Sequence, residues 1–272
     1  MFLNAVILVL QEILEASLLL SLFLLLTALQ REPLALGARW RAAWVPLSIV
    51  LGVLGSWGFA ALTPVVSAWF DYVGQEVVNA AFQIVTIALL LTLGYAWRGA
   101  GEASFLARGG GMICLIVIVT LAITREGSEI ILYTQGIMGQ REVLTSVLSG
   151  ATVAIGIGVS CGVLLYYILR NLNDRRALRV VALLLAFFSG NMAMQAVLLL
   201  NQADWLPYTA ELWDSSALLP ENTVLGQLLY ALIGYEATPS LAQLLAYALA
   251  CAAFMLTPLF RRAWARGEIQ GE

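Results

Sequence analysis

The chain contains no histidine and no lysine, and only three cysteines. Without imidazole it can build no histidine-ligated zinc or haem, no Ser-His-Asp triad and no imidazole proton relay from its own residues. Without lysine its positive charge rests on arginine alone, and no basic run offers itself to nucleic acid. Cys114, Cys161 and Cys251 lie far apart inside apolar runs, where a thiol behaves as a small hydrophobe, so no disulfide framework is expected. Charge is scarce as well: 11% of the 272 residues are charged against 61% apolar, where a soluble domain carries roughly 25% and 45–50%. That balance leaves no room for a sizeable soluble domain and reads as an all-α integral membrane protein.

Seven apolar runs are each long enough to cross a hydrocarbon core of roughly 30 Å. They cover about 3–29, 43–63, 77–97, 112–136, 143–169, 178–201 and 240–260. The first lacks a basic leader and is interrupted by Glu12 and Glu15, so it is expected to be a retained span. An eighth stretch, Val224 to Tyr235, is too short to span and follows the helix-start signal Pro220-Glu221-Asn222-Thr223, which predicts a re-entrant or interfacial helix.

The arginines orient the spans, because short cytoplasmic loops hold the excess of basic residues. Arg31, Arg39, Arg41, Arg98, Arg108, Arg170, Arg175, Arg176, Arg179, Arg261, Arg262 and Arg266 all fall on one side, and only Arg141 on the other. The N-terminus is expected outside and the C-terminus inside. Asp71, Glu76, Glu142, Asp204, Glu211, Asp214, Glu221 and Glu236 then fall outside, where they would attract cations.

Four acids belong to no loop. Glu12 and Glu15 sit in the first span and Glu126 and Glu129 in the fourth, each pair spaced i, i+3 on one helix face. At about 1.5 Å per residue all four lie roughly 13 to 25 Å into the core. A charge there costs about 2.5–3.5 kcal/mol even on the lenient insertion scale, so these groups are expected to face a polar interior. The segments Gln11-Glu12-Ile13-Leu14-Glu15 and Arg125-Glu126-Gly127-Ser128-Glu129 resemble each other and are three spans apart, hence oppositely directed. The chain 1–272 therefore reads as a single membrane domain. It holds repeat one (about 1–97), an inverted repeat two (about 112–201), an outer loop (202–239) and a seventh helix (about 240–260).

Carboxylate oxygens are hard ligands for hard cations. Four glutamates against Arg125 leave three negative charges, enough to match one trivalent ion. Without an ion, mutual repulsion predicts a shared proton that is released when metal binds. Glu76, Asn79, Gln83 and Thr86 recur at helical spacing on the third span and suggest either an outer path or interhelical hydrogen bonding, and Asp214 either gathers cations at the mouth or is simply solvated. Asn191 and Gln195, at i and i+4 in the sixth span, are candidates for an inner path or for interhelical bonding. Ala154, Gly158 and Gly162 form a small-residue stripe that predicts close helix approach.

The motif Arg125-Glu126-Gly127-Ser128-Glu129 in the fourth of seven spans, with its partner in the first, resembles the ferric-iron permease family of fungi and bacteria. Leu212-Trp213-Asp214-Ser215-Ser216, Leu225-Gly226-Gln227-Leu228-Leu229, Leu232-Ile233-Gly234-Tyr235 and Pro239 look like that family's outer loop and approach to the seventh helix. The resemblance, to transporters of the oxidase-dependent type, implies iron uptake across a plasma or bacterial inner membrane. Glu12, Glu15, Glu126 and Glu129 would be the translocation ligands, Gln11 and Arg125 supporting residues, and an oxidase or periplasmic iron-handling protein a partner. Iron is then substrate, and no permanently bound cofactor and no enzymatic activity are expected. Two departures stand out: Gln11 occupies a position where the family usually has Arg, and Glu76 is followed by Asn79 where relatives have an E-x-x-E-like pair. The same architecture moving another hard divalent cation is the alternative reading.

Overall fold

The computed structural model describes residues 2–29, 37–96, 110–137 and 141–264. Arg31, Arg98, Arg108 and Arg266, used above to orient the spans, lie outside the described residues. Among those described, the regular structure is helical, with one isolated bridge between Glu211 and Ser240. Six long helices come first: α1 (Phe2–Ala28), α2 (Gly37–Val66), α3 (Gly74–Ala96), α4 (Gly110–Ile137), α5 (Arg141–Arg170) and α6 (Asp174–Gln202). Three shorter ones follow: α7 (Val224–Ile233), α8 (Leu241–Met255) and α9 (Pro258–Trp264).

Five helices, α1, α2, α3, α5 and α6, are long and apolar enough to cross a membrane. The fourth expected span is present as a 28-residue helix, but Arg125, Glu126 and Glu129 interrupt its apolar character. The seventh is not the continuous 240–260 helix that the sequence predicts. It stops at Leu256 and a separate helix begins at Pro258. Proline has no N–H to continue the ladder and its ring crowds the preceding turn, which allows the helix to end here, whereas α2 runs on through Pro46 and Pro64. Thr257 seals the break by donating its hydroxyl to Phe254 O at 2.7 Å. At about 1.5 Å per residue α8 alone is roughly 22 Å long, short of the hydrocarbon thickness.

The start signal ahead of α7 acts as the sequence predicts. Thr223 Oγ1 accepts from Gly226 N at 3.0 Å, and Gly234 ends the helix in the left-handed conformation at φ 70°. The α8 start is a capping box, with Ser240 and Gln243 each bonding the other's backbone N–H.

Packing follows a paired scheme. The most extensive contacts are α1 with α5 and α2 with α4; α3 lies on α6, α1 on α4, and α8 covers α6. The stripe Ala154, Gly158, Gly162 does bring two helices together. A Cβ at Gly158 would stand 2.6 Å from Ile13 Cγ2, and one at Gly162 2.9 Å from Ser17 O. The backbones are near enough for Ser17 to donate to Gly158 O at 2.9 Å and Ser21 to Gly162 O at 2.7 Å. At the α2–α4 seam Ser56 donates to Ile123 O at 2.8 Å. The largest apolar core joins α1, α3, α4 and α6 through residues such as Leu22, Phe23, Leu90, Leu115, Ile118, Val181 and Leu185. The outer faces of α2 and α5 instead expose Val50, Leu54, Trp57, Val159, Val163 and Leu164, an apolar surface suited to lipid tails.

Candidate functional site

The motif residues meet where α1 and α4 cross, covered by α3 and α6. Spacing of i, i+3 turns Glu12 and Glu15 to one side of α1, and the same spacing turns Glu126 and Glu129 to one side of α4. Glu12, Glu15, Arg125 and Glu126 are buried and Glu129 is half-buried. No water can solvate such charges fully, so partners or ions must compensate them.

The four glutamates are not equivalent. Glu12, Glu126 and Glu129 each offer a carboxylate oxygen, and these oxygens lie within 4.8 Å of one another. Glu15 lies outside this group; Arg125 Nη2 donates to its Oε2 at 3.1 Å and also to Glu126 Oε1 at 2.5 Å, so both glutamates are ion-paired to the guanidinium. Gln195 Nε2 donates to both Glu15 oxygens, at 3.1 and 3.2 Å. The guanidinium also donates from Nε to Glu126 Oε1 at 2.9 Å and from Nη1 to Gln195 Oε1 at 2.7 Å. Gln83 Nε2 donates to the same Gln195 oxygen at 2.5 Å, and in the opposite amide orientation its oxygen would accept from Arg125 Nε at 3.3 Å. Glu126 Oε2 is buried with no hydrogen-bond partner.

The arrangement can do two things chemically. The Arg125, Glu15, Gln195 and Gln83 network fixes one charge pair between α4 and α1 by hydrogen bonds from two other helices, α6 and α3. The Glu12, Glu126 and Glu129 oxygens form an anionic pocket whose span a hard cation could close with a small contraction, since such ions take oxygen at roughly 2.0–2.6 Å. A small cavity of about 10 Å³, lined by Phe82, Gln83, Thr86, Leu121, Ala122, Arg125, Glu126 and Met192, adjoins it from the α3 side.

Of the remaining sequence candidates, Gln83 and Gln195 join this network. Gln11 is half-buried on α1, one residue before Glu12. Asn79 and Thr86 are buried on the α3 stripe above and below Gln83, and Asn79 Oδ1 and Glu76 Oε2 are buried without partners. Asn191 turns toward α7 and donates to Tyr230 O at 3.3 Å, leaving its Oδ1 unpaired. Asp214 is exposed and closes a local turn, accepting from Ser216 N at 2.9 Å and from Ser216 Oγ. Those two bonds, the hydroxyl first, hold its carboxyl below the usual range. Asn201, which no sequence motif marks, has a buried, unpaired Oδ1 near the end of α6. Its only signal in the sequence is that it closes the apolar run, directly before Gln202.

Fold and site together define a multi-pass helical membrane protein with an acidic, oxygen-only centre between its helices. Comparison with known proteins carries this further: the profile of the iron permease FTR1 family matches residues 2–261, and the chain belongs to that family. It is 26% identical over 149 residues to the protein named ferrous iron permease EfeU of Escherichia coli O6:K15:H31, covering 53% of this chain and 54% of that protein. The EfeU of Shigella flexneri matches at the same identity over 63% of its length. The match thus spans little more than half the length of these curated relatives. No solved structure matches the chain.

Proposed function

We propose that this chain is a permease that imports iron across a plasma or bacterial inner membrane through the buried centre on α1 and α4. The observation that carries the reading is the approach of Glu12, Glu126 and Glu129 oxygens to within 4.8 Å inside an apolar helix bundle. Three carboxylates are costly to bury unless an ion or protons offset them, and their all-oxygen chemistry suits iron as a hard cation. Membership of an iron permease family supports iron over another ion.

The proposed topology has seven crossings, the last completed by α8 and α9, with the N-terminus outside and two inverted three-helix units. Exchanging α1 with α4, α2 with α5 and α3 with α6 converts the α1–α5 contact into α4–α2 and leaves α1–α4 and α3–α6 as themselves. Helix pairing of that kind supports the inverted repeat. Transport then follows from rocking one unit against the other about the centre. Iron would reach it along α3, where the unpaired oxygens of Glu76 and Asn79 lead toward Gln83, with Asp214 as an outer collector. Asn191 would serve the inner half, and an oxidase or periplasmic iron-handling partner would deliver the ion.

Iron uptake into an iron-starved host or proteoliposomes tests this. Glu12→Gln and Glu126→Gln should each abolish uptake at normal protein levels, while Glu211→Gln in the exposed outer loop keeps it. Unchanged uptake in the first two would overturn the proposal.

A further inference from the structure

We infer that the four motif glutamates have separate tasks: Glu12, Glu126 and Glu129 hold the cation, Glu15 is the fixed counter-charge of Arg125, and Gln11 sets the charge of the site. This rests on the reading of the centre as a cation site and says which residues make it one.

The first support is how the oxygens are spent. Both Glu15 oxygens already accept hydrogen bonds, one of them charged, from Arg125 and Gln195. To ligate an ion Glu15 would have to give up its bonds from Arg125 and Gln195, leaving the buried guanidinium with Glu126 as its one remaining carboxylate among the described residues. Glu126 spends only Oε1 on Arg125 and keeps Oε2 buried and free. Glu12 and Glu129 make no ion pair among the described residues, and their oxygens close on that of Glu126.

The second support is the internal register. Aligning the two motifs sets Gln11 against Arg125, Glu12 against Glu126 and Glu15 against Glu129. Arg125 bridges the first glutamate of its own motif, Glu126, and the second glutamate of the other, Glu15. The image of that bridge would run from position 11 to Glu12 and Glu129. Those two are the glutamates that, with Glu126, make the open triad. Position 11 holds a neutral amide, shorter than arginine and without charge, so that half of the centre is left anionic. Glu15 and Arg125 cancel, three carboxylate charges remain, and an arginine at 11 would leave two. The vacant bridge is therefore what suits the site to a hard cation of charge two or three, and a trivalent ion gains more from it than a divalent one.

The test is equilibrium binding of Tb³⁺ (luminescence) and Mn²⁺ (electron paramagnetic resonance) to the purified full chain in nanodiscs. Two double variants, Glu15→Gln/Arg125→Gln and Glu12→Gln/Arg125→Gln, carry the same net charge but remove different carboxylates. The first should bind both ions at least tenfold more tightly than the second. Gln11→Arg should weaken Tb³⁺ by a larger factor than Mn²⁺. Equal affinities in the two double variants would overturn the division of tasks while leaving the cation site standing. No saturable binding to the unmodified chain would instead remove the site itself. Should either double variant fail to elute as a single species, Gln11→Arg decides alone: unchanged affinity for both ions, or equal loss for both, refutes the inference.

Discussion

Gly127, between Glu126 and Glu129, is where the α2–α4 seam is tightest against the motif. A methyl group at this position would stand 2.3 Å from Ser56 Oγ and 3.0 Å from Ser56 Cβ. Ser56 cannot simply swing away, because its hydroxyl donates to Ile123 O at 2.8 Å and to Gly52 O at 2.9 Å. Gly127→Ala should therefore sacrifice the interhelical hydrogen bond, about 1 kcal/mol, and overpack the seam by about 1–3 kcal/mol. Alanine's better helix propensity returns about 1 kcal/mol, so the net loss is about 1–3 kcal/mol. The other half of the molecule already solves the same problem in reverse: Ile13, at the matching place on α1, faces Gly158 on α5. Gly127→Ala in a Ser56→Gly background should then become stabilising by up to about 1 kcal/mol, because the clash is gone and only the propensity gain remains. The assay is a four-variant cycle of denaturant unfolding in mixed micelles, with iron uptake measured in parallel. Destabilisation of the same size in both backgrounds would refute the packing argument, since the effect would then not pass through Ser56.

Other expectations concern charge. Burial, and after it the nearby Glu221, pushes the half-buried Glu236 carboxyl, between α7 and α8, up to about 7 from an ordinary 4.5. Between those values the native chain binds more protons than the unfolded one, so this group's stabilisation is complete below pH 4.5 and is lost as pH rises through about 7. At about 1.36 kcal/mol per unit the ceiling is about 3 kcal/mol, and solvent screening lowers it to about 1–2. Glu236→Gln should accordingly raise the melting midpoint at pH 8 and leave it unchanged at pH 4; equal midpoints at both pH values would contradict the shift. Gln195→Leu removes the amide that serves Glu15, Arg125 and Gln83, and should cost about 2–4 kcal/mol by leaving buried charged groups short of partners. A melting midpoint equal to that of the unmodified chain would show those bonds to be dispensable.

Much was legible in the amino-acid order alone, for a physical reason. Long apolar runs must be helices in lipid, because no other single segment satisfies its own backbone groups there. The same constraint places α1 to α6 and the short α7 within about four residues of their observed ends, except that α2 begins six residues earlier than its apolar run. It also marked Glu12, Glu15, Glu126 and Glu129, since buried acids are conspicuous against such a background, and it read the glycine stripe on α5 as a contact face. What the order did not reveal was how the charges are shared. Four glutamates and one arginine permit several pairings, and net charge is the same in all of them. Only the crossing of α1 over α4, with Gln195 and Gln83 brought in from α6 and α3, committed both oxygens of Glu15 and one oxygen of Glu126 to the Arg125 network and left Glu12, Glu126 Oε2 and Glu129 facing one another. The break before Pro258 was likewise decided in three dimensions: a proline inside an apolar run can kink a membrane helix or end it. The pairing of α1 with α5 and α2 with α4 depended on which small residues met across the bundle, because sequence periodicity names a helix's face without naming the neighbour that will cover it.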